Sequence, residues 1–226
     1  MIQAKNIYKS FGKDEILKGV NIMIKEGSMV CILGESGAGK STLLHILGTL
    51  EKPTIKKKIK TIIKIDKKEI LSITDKELSI LRNQKIGFIF QNTQFLSEFT
   101  VLENICLPGF INKKKSKEHV KKKALNLLKE LNLYKYKNSR IEELSEGQKQ
   151  RLSVTRALIN NPKIIFADEP SGNLDEKNAE NLHNFFSLLN YKFKQTFLIV
   201  THNLQLADMA DEKLKIENGI VYKIDQ

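Results

Sequence analysis

The sequence predicts an α/β fold, with an antiparallel β-subdomain at the N-terminal side of the core and a helical subdomain inserted into it. Apolar strands and amphipathic helices alternate between residues 163 and 210. A glycine-rich loop separates an apolar strand from a helix at residues 34–41. Between Thr100 and about Leu131, apolar residues recur every three or four positions, as on one face of a helix. The alternation defines the core, and the helical stretch defines the insert.

The N-terminal part of the chain is predicted to be mostly extended. Its strand-like segments are 2–9, 20–24, 29–33, 59–66 and 86–90, and its helices are 41–50 and 75–83. Thr74 is the expected N-cap of the second helix, because a threonine there accepts a hydrogen bond from a free backbone N–H group.

The C-terminal part continues with regular elements. The predicted elements are helix 145–160, strand 163–168, helix 176–191, strand 196–200 and helix 203–210, with a hairpin over residues 211–226. Asn161-Pro162 ends the first of these helices, and Asn218-Gly219 is a strong signal for a two-residue hairpin turn. The sequence contains no internal repeat and no long linker, so we expect a single domain over residues 1–226.

Composition limits the classes of protein that the chain can represent. The 226 residues are 41% hydrophobic, which is enough for one sizeable core. No apolar run approaches the roughly 18–20 residues of a membrane helix, and the N-terminus does not resemble a signal peptide. We therefore expect a chain that is soluble by itself. Cys31 and Cys106 both lie in apolar segments and are expected to be buried free thiols of a reducing cytosol.

The net charge of +12 comes almost entirely from lysine. The lysine runs of the chain contain no interleaved aromatic residues. Proteins that bind nucleic acid usually combine arginine with aromatic residues on which bases stack. The alternatives are a solvated lysine surface, attraction to an anionic membrane face, and nucleic-acid binding. The composition favours the first, and no nucleic-acid partner is expected.

Residues Gly34 to Ser41 fit the phosphate-binding pattern G-x-x-x-x-G-K-[ST] at every fixed position. Glycines let the backbone curl so that its N–H groups surround a triphosphate. Lys40 can reach the β- and γ-phosphates, and the hydroxyl of Ser41 can bind Mg²⁺. Because a strand precedes this phosphate loop and a helix follows it, the pattern predicts a bound nucleoside triphosphate.

Four further signals lie outside the phosphate loop. Strand 163–168 ends in Asp168 and Glu169, which can hold Mg²⁺ and act as a general base, respectively. Gln91 and His202 each follow a predicted strand, where ligands of a parallel sheet bind. Ser145 precedes a helix and is either an ordinary N-cap or part of an anion site. Each signal is weak alone, and their order along the chain is informative.

In that order, the motifs resemble those of the ATP-binding subunits of ABC transporters, over essentially the whole chain. Residues 34–41 match the Walker A loop, Gln91 the Q-loop, 144–148 the signature, 164–169 Walker B, 171–175 the D-loop and His202 the switch histidine. The resemblance implies a P-loop NTPase core with its β-subdomain at about 1–90 and 160–226, and a helical lobe at about 95–158.

The resemblance also implies the site residues. ATP contacts are expected from Phe11, which is favoured over Tyr8 for stacking on adenine, and from Gly34, Glu35, Ser36, Gly37, Ala38, Gly39, Lys40, Ser41, Thr42, Ser145 and Gly147. The implied Mg²⁺ ligands are Ser41, Gln91 and Asp168, and the implied catalytic residues are Glu169, His202, Gln91 and Lys40. Ser145 and Gly147 would act on the ATP of a second copy, in a head-to-tail homodimer.

Finer stretches, among them 81–91, 98–104, 167–175 and 201–207, resemble the lipoprotein-releasing, LolD-type branch, which is close to MacB-type efflux and FtsE-type division ATPases. That branch implies integral membrane permease partners of the LolC/LolE kind and a peripheral position on the cytoplasmic face of the inner membrane. The residues implied in or under the groove for those partners are Phe95, Leu96, Phe99 and Leu102; plain core packing is the alternative. A soluble ABC ATPase of the iron–sulfur assembly type is the rival function.

Three positions depart from the family pattern. Glu146 replaces the first glycine of the signature, where its carboxylate would either repel the phosphate of the second copy or point outward. The turn at 53–56 lacks its usual glycine, and the next hairpin has Asp66-Lys67 in place of Asn-Gly. These two turns lead us to expect reduced local stability in the β-subdomain.

Overall fold

A computed structural model describes residues 1–112 and 115–224. In chain order the elements are β1 (Ile2–Phe11), β2 (Asp14–Ile24), β3 (Met29–Leu33), α1 (Lys40–Leu47), β4 (Ile62–Ile65), β5 (Lys68–Glu69), α2 (Asp75–Lys85), β6 (Ile86–Ile89), α3 (Val101–Ile111), α4 (Lys117–Glu130), α5 (Glu146–Leu158), β7 (Ile164–Asp168), α6 (Glu176–Phe193), β8 (Thr196–Thr201), α7 (Leu204–Asp208), β9 (Glu212–Glu217) and β10 (Ile220–Lys223). Two short 3₁₀ turns, Tyr134–Tyr136 and Ile141–Glu143, precede α5.

The strands form two sheets. The antiparallel sheet has the order β2-β1-β4-β5, and the larger sheet has the order β10-β9-β3-β8-β7-β6. Strands β9, β3, β8, β7 and β6 run parallel, and β10 closes that sheet as an antiparallel hairpin over Asn218-Gly219, both at positive φ. The expected 211–226 hairpin therefore forms, with its last two positions outside the described residues.

The central sheet is buried on both faces. Along β3, Val30 and Ile32 belong to the apolar cluster under the antiparallel sheet and α1, whereas Met29 and Cys31 belong to the cluster under α5, α6 and α7. This two-residue alternation between two cores explains why the strand is apolar at every position. Burial raises the pKa of the Cys31 thiol to about 12.

The helical lobe has a third core of its own. The predicted helical stretch from Thr100 to Leu131 consists of two helices, α3 and α4, which pack with α5 around Val101, Ile105, Val120 and Leu152 among others. Gly109 permits this approach, since a Cβ there would lie 2.5 Å from Val120 Cγ1. Cys106 is buried in the same core, and burial raises the pKa of its thiol to about 11.

The two turns without glycine both form. Asp66 and Lys67 take the hairpin conformation at φ 50° and 67°, and β5 beyond them has only two residues. At 53–56, the Thr54 N–H donates to the Tyr8 carbonyl at 2.8 Å, and the Thr54 hydroxyl accepts from the Ser10 N–H at 3.0 Å. Contacts with β1 thus hold this loop in place of a glycine turn.

Within residues 1–112 and 115–224, none of the helices combines the length and apolar character that crossing a membrane requires.

Candidate nucleotide-binding site

The carboxyl ends of three parallel strands bring the predicted site together. The phosphate loop follows β3, Asp168 and Glu169 end β7, and His202 follows β8. The register places Leu33 beside Thr201 and Asp168 beside Val200, so all three strand ends meet at one edge of the sheet.

The phosphate loop is open at its tip and tightly packed at its base. Glu35, Ser36 and Gly37 are exposed, and Gly37 and Gly39 have φ of 81° and 97°, which glycine adopts without strain. Gly34 lies against the sheet, since a Cβ there would be 2.6 Å from the Ile216 carbonyl oxygen. Helix α1 begins directly after Gly39 without a side-chain cap, so its first N–H groups face the loop. An anion in the loop would satisfy them.

Lys40 is buried within the loop that precedes it. Its Nζ donates hydrogen bonds to the carbonyls of Gly34 at 2.8 Å and Glu35 at 2.9 Å, and lies 3.8 Å from Glu169 Oε1. The side chain is 9% exposed. A cation thus lies at the base of the loop, next to the general-base candidate. Ser41 and Thr42 follow it in the first turn of α1 and are half-buried.

Ser41 and Asp168 form a pair of oxygen ligands across the sheet edge. The Ser41 hydroxyl donates to Asp168 Oδ1 at 2.9 Å. Burial raises the pKa of the Asp168 carboxyl, and this hydrogen bond opposes the rise. Hydroxyl and carboxylate oxygens fit Mg²⁺, which typically takes one or two protein ligands and completes its shell with phosphates and water. Within residues 1–112 and 115–224, no group of three or more His, Cys, Asp or Glu is arranged to hold a metal ion.

Glu169 and His202 form a second pair. Glu169 Oε2 lies 3.0 Å from His202 Nδ1 and accepts a hydrogen bond from the His202 N–H at 3.2 Å. Glu169 has a φ of 42°, a left-handed conformation in which its N–H still bonds to the Val200 carbonyl at 2.9 Å. The Glu169 side chain is 13% exposed, whereas that of His202 is 70% exposed. The carboxylate is therefore held at the floor of the site and the imidazole at its rim.

The side chain of Gln91 forms its hydrogen bond with Asn173 and not with Ser41 or Asp168. Its side chain is exposed, and its Nε2 donates to Asn173 Oδ1 at 3.4 Å. Gln91 therefore contacts the segment that follows Glu169 in this conformation.

Phe11 lies at the exposed end of β1, paired with Asp14 of β2. Its ring is 52% exposed, with the Lys9 ammonium 4.7 Å from the ring centroid. Two residues beyond Asp14, Ile16 packs against the phosphate loop, since a Cβ at Gly39 would lie 3.0 Å from its Cγ2. The hairpin that carries Phe11 thus borders the loop. Tyr8 is less available, because its ring packs on Gly19 and beneath Lys56.

The signature residues lie in the helical lobe at the start of α5. Ser145 is the N-cap: its hydroxyl accepts from the Gln148 N–H at 3.4 Å, and the Gln148 side chain accepts from the Ser145 N–H at 2.9 Å. Gly147 is buried against Asn178, which a Cβ there would approach to 2.7 Å. The Glu146 carboxylate pairs with Lys149 Nζ at 2.8 Å and is 61% exposed. The Glu146 carboxylate is therefore exposed to solvent and turned toward Lys149.

A groove of about 530 Å³ separates the helical lobe from the core. Of the four apolar residues expected in or under it, Leu96 lines the groove and is 47% exposed. Phe95 and Leu102 pack against the lobe core, with the Arg156 guanidinium over the Phe95 ring, and Phe99 is half-buried.

Sequence reasoning missed three contacts at the site. His45 Nε2 lies 3.7 Å from Asp168 Oδ2, beyond hydrogen-bond distance, and its ring packs edge-on to Phe90. Its spacing of four residues from Ser41 places both on one helix face and would have revealed it. Ile16 and Asn173 carried no such signal, because their contacts with Gly39 and Gln91 arise only when distant segments pack together.

Comparison with known sequences bears on the whole chain. A family model described as ABC transporter matches residues 17–172. The lipoprotein-releasing system ATP-binding protein LolD of Cytophaga hutchinsonii is 47% identical over 221 residues, which are 98% of this chain and 98% of that protein. The LolD protein of Bacteroides fragilis is 45% identical over 219 residues, which are 97% of this chain and 99% of that protein.

Solved structures resemble the whole chain as well. The dimeric structure of a bacterial ABC transporter cassette has a TM-score of 0.89 at 37% identity, and the similarity covers 100% of both chains. The dimeric structure of a post-hydrolysis state of an ATP-binding cassette, bound to ADP and Pi, has a TM-score of 0.88 at 36% identity with the same coverage. The predicted fold class is confirmed.

Proposed function

This chain belongs to the ABC transporter family, as an ATP-binding subunit of the LolD type, and we propose that it hydrolyses ATP to drive a membrane complex that releases lipoproteins. The observation that carries the hydrolytic role is the position of Glu169. Its carboxylate lies 3.0 Å from His202 and 3.8 Å from Lys40, beside the Ser41–Asp168 pair. A base, a cation and a metal-binding pair thus surround the space above the phosphate loop.

Each residue of that group has a role in the proposed reaction. The loop N–H groups and Lys40 bind the β- and γ-phosphates, and Phe11 stacks on adenine. Ser41 and Asp168 would hold Mg²⁺, which would supply positive charge to neutralise the phosphates. Glu169 orients the attacking water and accepts its proton. His202 holds the Glu169 carboxylate in place and offers its other ring nitrogen to the γ-phosphate.

A second copy of the chain completes the site in our proposal. Ser145 is exposed at the start of α5, and Gly147, two residues later, packs against Asn178. The homodimer would place this helix start over the γ-phosphate of the other copy. Charge-assisted hydrogen bonds contribute about 1.5–3 kcal/mol each, so a few of them suffice to close the dimer on ATP.

The membrane partners would bind at the groove that Leu96 lines. Its wall is apolar at Leu50, Leu107, Pro108 and Ile111, and Gln94 of the segment after Gln91 lies in it. A helix of an integral permease subunit of the LolC/LolE kind would fit such a groove. In this proposal the chain is a peripheral subunit on the cytoplasmic face of the inner membrane. Gln91 would be a further oxygen ligand for Mg²⁺ if its side chain left Asn173.

The substitution Glu169→Gln tests the hydrolytic role. We expect the variant to bind ATP, lose hydrolysis and accumulate a closed dimer, because the amide keeps the shape of the side chain and cannot accept the proton. Steady-state ATPase assays and sizing by light scattering with ATP measure both effects. Wild-type turnover in this variant would remove Glu169 as the base.

Purification from membranes in mild detergent tests the transport role. We expect integral membrane proteins to co-purify with the chain, and Leu96→Asp to weaken their recovery while Leu188→Asp on the exposed side of α6 does not. Permeases of lipoprotein release support the proposal. Efflux or division proteins would place the chain in a neighbouring branch, and recovery of soluble partners alone would contradict a transport role.

A further inference from the structure

The segment between Glu169 and α6 is a pair of tight turns next to the site. The Gly172 N–H donates to the Glu169 carbonyl at 3.1 Å, and the Leu174 N–H donates to the Ser171 carbonyl at 3.1 Å. One end of this segment holds Glu169 in its left-handed conformation. Near the other end, Asn173 contacts Gln91. Any shift of the turns therefore moves two residues of the site.

A buried histidine holds the middle of this segment. His183 Nε2 lies 3.0 Å from Ser171 Oγ, and the two residues are 2% and 6% exposed. His183 lies on the face of α6 that also buries Ala179, Leu182 and Phe186. An apolar side chain would fill such a position without a desolvation cost, whereas a histidine requires a hydrogen-bond partner there.

The residue after Ser171 is packed closely against the site. A Cβ at Gly172 would lie 3.1 Å from Gln91 Nε2 and 3.4 Å from the Glu169 carbonyl oxygen. Ser171 itself is buried and contacts His183 of α6. The Ser171 hydroxyl therefore links α6 to the turn that begins at Glu169.

We propose that His183 is a positioning residue for ATP hydrolysis: it holds Ser171, and through Ser171 it sets the turn that carries Glu169 and contacts Gln91. The inference rests on the proposed hydrolytic function. In this proposal the buried face of α6, which lies outside the phosphate loop and the signature, sets the position of the Glu169 carboxylate.

The test compares variants that keep or remove the buried hydrogen bond. His183→Met keeps most of the volume and removes the bond, whereas His183→Gln places an amide near the position of Nε2. Ser171→Ala removes the bond from the other side. His119→Met, at an exposed position of α4, is the matched control. The readouts are kcat and KM for ATP, the ATP-dependent dimer in a Glu169→Gln background, and the melting temperature.

We expect His183→Met and Ser171→Ala to lower kcat about tenfold, the change that about 1.4 kcal/mol in the activation barrier produces. The KM for ATP and dimer formation should change less than twofold, because the phosphate loop is untouched. His183→Gln should recover most of the loss, and the double variant should be no slower than either single variant. A purely structural role would lower the melting temperature and the amount of active protein. It would not lower kcat selectively while KM and dimer formation stay unchanged.

Two results would overturn the inference while the proposed function stands. One is kcat within twofold of wild type in both single variants, and the other is a double variant whose losses multiply. If His183→Met does not fold, the kcat values of Ser171→Ala and His183→Gln are compared instead. Equal hydrolysis by wild type and Glu169→Gln would instead remove Glu169 as the base, and the inference with it. Absence of ATP hydrolysis by the wild-type chain would contradict the proposed function.

Discussion

Glu146 replaces the first glycine of the signature, and its carboxylate is paired with Lys149. Glu146 opens α5, where a negative charge interacts favourably with the helix N-terminus, and Lys149 one turn later neutralises it at 2.8 Å. Of the two outcomes weighed from the sequence, repulsion of phosphate and an outward orientation, this geometry favours the second. The Lys149 ammonium offsets the negative charge of the Glu146 carboxylate and so reduces its repulsion of an anion.

We predict that Lys149→Ala lowers ATPase activity and that Glu146→Gly in the same chain restores it. Exposed ion pairs contribute about 0.2–1 kcal/mol, so the loss should be about 1.4- to fivefold. Glu146→Gly alone should leave activity near wild type. The measurement is kcat/KM for ATP in all four chains. A higher activity of Glu146→Gly alone would show that the carboxylate obstructs the site even when paired.

His183 makes the fold sensitive to acid. Burial lowers the pKa of its imidazole below the ordinary value of 6.5, and the neighbouring Glu180 opposes the shift. The unfolded chain therefore takes up this proton at higher pH than the folded chain. Below about pH 6.5 the unfolded state binds more protons, so the free energy of unfolding falls as the pH falls.

We predict that the stability loss between pH 7.5 and about pH 5.5 is larger in wild type than in His183→Met, because the variant has no imidazole to protonate. Urea unfolding at both pH values measures it. The exposed His119→Met variant should keep the wild-type loss. Equal losses in wild type and His183→Met would exclude His183 as the source.

At the scale of elements, the β4–β5 hairpin forms although its turn residues disfavour the turn conformation. Asp66 and Lys67 both have positive φ, a conformation that costs a residue with a side chain about 1–2 kcal/mol. β5 is short, and Ile63, Ile65 and Ile70 bury the hairpin in the first core. Core packing thus compensates for a poor turn sequence, and the reduced stability expected for this subdomain stays a prediction.

We predict that Lys67→Gly stabilises the protein. Relief of the left-handed strain exceeds the added chain entropy of about 0.4–1 kcal/mol, for a net gain of about 0.5–1 kcal/mol. This corresponds to about 2–3 °C in melting temperature for a chain of this size. The β9–β10 hairpin is the opposite control: Gly219→Ala should destabilise, since Gly219 has φ 79° and a Cβ there would lie 2.5 Å from the Ile16 carbonyl oxygen. No rise for Lys67→Gly would mean that the turn is not strained.

At the scale of the whole molecule, the nucleotide site joins parts that belong to different cores. The phosphate loop contacts Ile16 of the antiparallel sheet and Ile216 of β9, and Glu169 leads into the turns that α6 holds. A ligand that bridges these parts stabilises the folded chain as a unit.

We predict that Mg²⁺-ATP at about a hundred times its dissociation constant adds about 2.7 kcal/mol of stability. The melting temperature should rise by about 5–10 °C. Lys40→Met should lose most of this shift because it removes the buried cation at the loop, whereas Lys192→Met on the exposed surface of α6 should retain it. Differential scanning fluorimetry with and without EDTA measures the shift and its dependence on the metal. An equal shift in Lys40→Met would contradict the assigned loop.

The sequence by itself determined the elements and the phosphate loop. The strand at 29–33, the N-cap at Thr74, the helix from 176 and the Asn218-Gly219 turn have their determinants within a few residues, and each forms near its predicted place. The loop pattern is equally local, because glycine conformations and the start of a helix create it. The ordered motifs also sufficed to identify the family.

Only the tertiary structure decided how those parts meet. The Ser41–Asp168 pair joins residues 127 positions apart, and the Glu169–His202 pair depends on the register between β7 and β8. The position of Gln91 beside Asn173 and the burial of His183 against Ser171 likewise arise from packing between distant segments. Local patterns specify φ, ψ and periodicity, whereas strand register and side-chain burial are properties of the assembled core. Glu169, His202 and the Ser171–His183 contact therefore come together only in the folded chain.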